Sequence, residues 1–159
     1  MLKLIRIKAI ILAVLTAGAL CYHVGQAQSE VRKTYLGSDA CRSCHEAQYD
    51  RFNAYAKKAH SYDRILKLRK GLTEAEFGQC LACHTTGYGK PGGFRSEQET
   101  PHLKEPGCEV CHGPGSVHAS SQDPKDIAAK VSIKDCEACH RPDRVEAFGY
   151  RPVIFGGAH

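Results

Sequence analysis

Between Glu46 and Lys70 the apolar residues Tyr49, Phe52, Ala56 and Ala59 recur three or four positions apart, with charged residues between them. That spacing predicts a helix over 46–70 with His60 on its apolar face. Ala9–Cys21 is different: 13 consecutive residues carry no charge, a run shorter than the about 20 apolar residues of a membrane-spanning helix. Elsewhere the helical pieces are short. Thr73-x-x-Glu76 reads as a capping box and Ser132-x-x-Asp135 as a weaker one. Gly87, Gly89, Pro91, Gly92 and Gly93 predict a loop. Little period-2 alternation is present, so strand content is expected to be low. The pattern is that of a mainly α protein with long loops and little β.

Composition sharpens this picture. The 159 residues include nine Cys and nine His but one Met and no Trp. The 42% hydrophobic and 25% charged fractions are those of a globular chain, which excludes collagen, coiled coil and wholesale disorder. The net charge is +5, and Lys3, Arg6 and Lys8 supply three of those charges. The remainder is weakly basic and shows no basic stripe with interleaved aromatics, so nucleic acid is not an expected partner.

Those three cations, the apolar run and Gly25-Gln26-Ala27 have the order of an export signal: charged region, apolar region, small-residue cleavage site. Residues 1–27 are therefore expected to be a signal peptide, or an N-terminal anchor if uncleaved. Residues 28–159 are expected to form one exported, periplasmic domain, on the membrane only in the anchored case. Cys21 lacks an acylation box, since Gly18 and Leu20 stand at its −3 and −1 positions, and it reads as part of the apolar run.

The other eight Cys fall into four copies of one pattern: Cys41-Arg-Ser-Cys44-His45, Cys80-Leu-Ala-Cys83-His84, Cys108-Glu-Val-Cys111-His112 and Cys136-Glu-Ala-Cys139-His140. C-x-x-C-H is the attachment sequence of c-type haem. Two thiols three positions apart reach the two vinyl groups on one edge of a porphyrin, and the adjacent His lies under the ring, where it coordinates iron. Zinc ribbons also use paired C-x-x-C elements, and disulfides suit an exported chain. Neither demands a His directly after the second Cys four times over. Four covalently attached haem c groups are expected, with His45, His84, His112 and His140 as proximal ligands. The motif starts lie 39, 28 and 28 residues apart, a loose repeat.

The sixth position on each iron decides its chemistry. Met would raise the potential, but no Met follows residue 1. His60, His102, His118 and His159 remain, enough to make every haem bis-His. His60 is expected to ligate from its helix. His118 follows the turn Gly113-Pro114-Gly115, too close to His112 to cap the same iron, and should serve a neighbouring haem. For His102, beside Pro101, and His159, the last residue, a ligand and a plain surface imidazole are alternatives. With four haems in this length, the macrocycles must supply much of the buried apolar surface, so the haem-free chain is expected to be largely unfolded. Lys57, Lys58, Arg64, Lys67, Arg69 and Lys70 form a basic run opposed by Asp63; it reads as a solvated face or as a docking patch for an acidic redox partner. Tyr55, Phe77, Tyr88 and Phe94 could pack on porphyrin.

Several stretches resemble the tetrahaem cytochrome c-554 family: Gly37-Ser-Asp-Ala-Cys-Arg-Ser-Cys-His45, the Ala59-His60 pair, Cys80-Leu-Ala-Cys-His-Thr-Thr-Gly-Tyr-Gly-Lys-Pro-Gly-Gly-Phe94 and Pro106-Gly-Cys-Glu-Val-Cys-His-Gly-Pro-Gly115. The resemblance covers roughly residues 35–140. It implies a periplasmic, mostly helical protein with closely packed haems passing electrons in sequence. It implies that His60 caps the third haem, that His118 caps the first, and that the second haem, on His84, is five-coordinate and open to small ligands. Family members carry electrons from a hydroxylamine-oxidising enzyme toward membrane carriers. Two features depart from the pattern. Only 19 residues follow His140, where the family has a longer helical tail with the fourth distal ligand; either His159 substitutes or the fourth haem is open. His102 also stands in a loop where the family's type member has no His.

Three functions follow as expectations. The first is an electron carrier between redox partner proteins. The second is a haem enzyme that binds or reduces a small nitrogen oxide at an open iron on His84 or His140. The third is a subunit of a larger assembly, an oligomer with His159 donated in trans. A vacant axial site separates the first two.

Overall fold

The computed structural model describes residues 32–141. The leader, Cys21 and His159 lie outside them. The chain divides into a unit Met1–Arg32 and a unit Lys33–His159, and the described elements all belong to the second.

Among the described residues six short α-helices succeed one another: α1 (Glu46–Tyr55), α2 (Tyr62–Leu66), α3 (Glu74–His84), α4 (Cys108–His112), α5 (Ser116–Ser121) and α6 (Ile133–Glu137). Tight 3-10 turns at Ser38–Cys41, Lys57–His60, Arg69–Gly71, Pro101–Leu103 and Pro124–Asp126 link them. No strand occurs among the described residues. The expected α class with long loops is what the chain adopts.

The single helix expected over 46–70 is broken into four pieces. Ala56 turns to extended backbone, with ψ 103°. The apolar spacing survives locally, because Phe52, Ala56 and Ala59 still bury together. The cause of the restart is remote. Glu105 accepts hydrogen bonds from the backbone N–H groups of Ser61 and Tyr62 at 2.8 and 2.9 Å, capping α2 from 44 positions away. The break resets the helical register, and His60 stands exposed in the turn, not on an apolar face. Both capping boxes form. Thr73 and Glu76 exchange bonds at the head of α3, and Asp135 accepts from the N–H and hydroxyl of Ser132 at the head of α6.

The main core joins Tyr35, Tyr62, Ile65, Phe77, Leu81, Phe94 and Leu103. Residues 85–107 wrap around it as a loop held by its own polar groups. Thr86 is 1% exposed. Its N–H donates to the Leu103 carbonyl at 2.9 Å and its carbonyl accepts from Phe94 at 2.9 Å. Its hydroxyl donates to Glu105 and accepts from Gly107. The loop closes on itself so tightly that a Cβ on Gly93 would lie 1.8 Å from the Gly87 carbonyl oxygen. Phe77 and Phe94 belong to this core and Tyr88 packs against it. Tyr55 differs, with 68% of its surface exposed. Ten hydrophobic side chains and Pro106 are buried among the described residues, a small core for a chain of this length.

The segment before the first motif runs along α4 and α5. Thr34 and Ser116 exchange two hydrogen bonds, and Ser38 accepts from the Cys108 N–H at 3.1 Å. Gly37 holds φ +83°, and a Cβ there would meet the His102 carbonyl at 2.6 Å. A side chain at this close crossing would be strained twice over.

Candidate functional site

Each C-x-x-C-H motif occupies about one helical turn, which sets its two thiols on one side. The second motif is the last turn of α3, and the third is α4. In the first and fourth, the His45 and His140 N–H groups donate to the Cys41 and Cys136 carbonyls at 2.9 Å each. All eight thiols are free, Cys44 exposed and the others half-buried. Among the described residues, no three His, Cys, Asp or Glu side chains converge as a metal cage. Thiols without disulfides, in pairs each followed by an imidazole, fit covalent haem. A haem needs two thiols and an axial imidazole, not a cage.

The motifs meet in pairs. Cys41 of the first and Cys108 of the third share a hydrogen bond. It lowers Cys108 to about 6 against the opposing effect of burial. The same bond, then burial, raises Cys41. Thiolate character is what makes a cysteine reactive, so this junction acidifies one attachment thiol before any bond forms. Cys139 of the fourth motif lies against Cys83 of the second and is pushed up to about 12, by burial first and that contact second. Lys58 stands at the meeting of the third and fourth motifs, its Nζ 4.0 Å from Cys111 Sγ. Burial and then the Lys58 charge lower the His140 imidazole.

The His45 and His118 rings are neighbours, with centroids 6.1 Å apart and planes at 28°. Two imidazoles this close would be able to hold one iron between them, which would then be six-coordinate. His118 Nδ1–H donates to the Asp123 carbonyl at 2.9 Å, and His112 Nδ1–H to the Ala128 carbonyl at 2.7 Å. A backbone acceptor on Nδ1 fixes the tautomer that leaves Nε2 bare for a metal. His60 is arranged the other way: its Nε2–H donates to the Asn53 carbonyl at 2.9 Å. His84 is half-buried with its Nδ1 enclosed. His102 is exposed on the turn Pro101–Leu103.

Two charged residues here have no motif to announce them. Glu109 fills a variable position of the third motif and is 3% exposed. Its carboxylate accepts from the N–H groups of Leu36, Gly37 and Gly115 at 2.7 to 3.0 Å. The available signal was a lone charge in the otherwise uncharged stretch 106–111. In the sequence Lys58 is one member of the basic run that ends at Lys70. It is half-buried, with Nζ 5.5 Å from the centroid of the Phe52 ring.

Residues 40–113 match the family model for cytochrome c554 and c-prime. Cytochrome c-554 of Nitrosomonas europaea is 34% identical over 91 residues, which cover 51% of this chain and 39% of that relative. The matched part thus spans well under half of the relative's length. No solved structure matches the chain.

Proposed function

We propose, from the match of residues 40–113 to the cytochrome c554 family model, that the whole chain is an exported tetrahaem c-type cytochrome that carries electrons between redox partners. Haem c, when bound, supplies a one-electron iron couple. The polypeptide attaches it through Cys41 and Cys44, Cys80 and Cys83, Cys108 and Cys111, and Cys136 and Cys139. It ligates it through His45, His84, His112 and His140. Thiols of different motifs within hydrogen-bond reach of one another mean neighbouring haem edges, which short electron steps require.

The observation that carries this reading is the neighbouring pair His45 and His118, with ring centroids 6.1 Å apart and the His118 tautomer set by a backbone carbonyl. A bis-His iron is low-spin and low in potential, suited to carrying electrons more than to binding substrate. His60, His102 and His159 are the distal candidates for the other irons. The leader pattern supports a periplasmic location. Lys57, Arg64, Lys67 and Lys70 are exposed and suit docking of an acidic redox protein, with an association rate that falls as salt rises.

The test is electron paramagnetic resonance on protein matured in a host competent for cytochrome assembly, together with its intact mass. The expected result is the processed chain plus four haems, with mainly low-spin ferric signals. In His118→Ala one low-spin signal becomes high-spin while the haem count stays at four. A colourless protein with the bare chain mass would refute the reading. A native high-spin iron that responds to nitric oxide or cyanide would move the function to a haem enzyme acting on a small nitrogen oxide.

A further inference from the structure

Glu109 lies in the third motif, yet its carboxylate does not serve that motif's own helix. The first N–H of α4, that of Cys108, donates instead to Ser38. The carboxylate is buried, 3% exposed, and turns to two other segments. Oε1 accepts from the Gly115 N–H at 2.7 Å and Oε2 from the Gly37 N–H at 2.8 Å, while the Leu36 N–H lies 3.0 Å from both oxygens. A Cβ on Gly115 would stand 3.2 Å from Oε1, so the carboxylate rests directly on that backbone.

Each segment ends in a ring of the same imidazole pair. Gly37 leads through the tight turn Ser38–Cys41 into the first motif, where the His45 N–H donates to the Cys41 carbonyl. Gly115 is the cap of α5. The Ala119 N–H donates to the Gly115 carbonyl at 2.8 Å, so His118 rides on the first turn of a helix that starts where Glu109 holds it. With six residues, α5 is too short to hold itself in place. Thr34 and Ser116 join the same two segments next to the carboxylate. The Asp123 carbonyl orients the His118 ring, but Asp123 follows α5 in the chain, so this bond does not place the helix.

A metal ligand keeps its position only as well as its supports do. We propose that Glu109 is the positioning residue of the axial pair His45 and His118, so that a residue of the third motif governs ligation at the first-motif haem. This inference rests on the reading of that pair as the two ligands of one iron. Glu109 touches no reacting atom and acts through Gly115 and His118. A carboxylate suits the task because its donors are all backbone N–H groups and both its oxygens accept. Gln has nearly the same size but one acceptor oxygen and an NH2 donor. Whichever oxygen the NH2 replaces, Gly37 or Gly115 loses its acceptor.

The test uses the four-haem protein and begins with His118→Ala. If that variant leaves every ferric signal low-spin, the two imidazoles are not an axial pair and the inference falls with that reading. Where it converts one signal, that signal marks the first-motif iron. The probe is cyanide, and the readout is the rate at which it replaces His118, followed as loss of the marked low-spin signal. In Glu109→Gln that rate rises about tenfold or more, the scale of one lost hydrogen bond to a carboxylate. The other low-spin signals respond at their native rates, and the Gly37 and Gly115 amides exchange faster. A native rate at the marked iron, even with faster exchange of those amides, leaves Glu109 a structural role only and overturns the proposal. Equal acceleration at every iron overturns it as well. If Glu109→Gln fails to assemble with four haems, Glu109→Asp decides alone, since it keeps the carboxylate but withdraws it by one methylene. The marked iron must then lose His118 faster, and an unchanged rate refutes the proposal.

Discussion

The stretches Thr85–Gly107 and Ala128–His140 lead into the third motif and contain the fourth, and they are held in place by different means. In the first, Thr85, Thr86, Gly93, Phe94, Thr100, Leu103, Pro106 and Gly107 are buried, and Thr86 alone makes four hydrogen bonds across the loop. In the second no residue is buried. α6 is five residues long, far below the length at which a helix is stable by itself, and Ile133 is 38% exposed. One motif follows a finished protein scaffold. The other stands in a segment without a buried residue, whose order would come from what its thiols and His140 are proposed to bind. The boundary between the packed and the unpacked part of the described chain therefore runs between the third motif and the fourth.

Leu103 tests the scaffold side. It is 0% exposed, and Leu103→Ala in the holoprotein is expected to cost about 2–5 kcal/mol in denaturant unfolding, as buried Leu truncations do. The matching truncation Ile133→Ala should cost less than about 1 kcal/mol. Equal losses would erase the contrast and show that the fourth-motif segment packs a core of its own. The next effect is steric. Gly93→Ala places a Cβ against the Gly87 carbonyl, and backbone must move to admit it. A loss of about 2 kcal/mol or more is expected, with faster amide exchange confined to the loop at 85–107 and the fourth-motif amides unchanged.

Much of this contrast was within reach of the sequence, and the part that was not has a definite cause. Local signals are legible as they stand: the four motifs, both capping boxes, and the Gly87–Gly93 loop. What local periodicity misses is a partner far along the chain. Tyr49, Phe52, Ala56 and Ala59 do keep helical spacing, yet α2 restarts because Glu105 caps it. No window of 20 residues contains both groups. Glu109 escaped for the same reason, since its bonds reach back 72 and 73 positions to Gly37 and Leu36. The exposed setting of His60 follows from the same missed break.

The smallest effect sets the two capping boxes against each other. Glu76 is held below its ordinary value of 4.5, mostly by the Thr73 backbone N–H and then by its hydroxyl. Asp135 is held below 3.8 by the same two groups of Ser132. Both carboxyls are depressed in the folded state, so their stabilisation is present above those ordinary values and is lost as pH falls through the lower folded ones. Thr73 caps an 11-residue helix anchored through Phe77 and Leu81; Ser132 caps five residues with none buried. Thr73→Ala should lower the holoprotein Tm by the few degrees of one lost cap and flatten its acid dependence below pH 4.5. Ser132→Ala should leave Tm unchanged and act only on α6, whose amides exchange faster at neutral pH and become insensitive to acid. A Tm loss from Ser132→Ala as large as that from Thr73→Ala would mean that the fourth-motif helix is part of the cooperative protein core, and the division between the two stretches would fall.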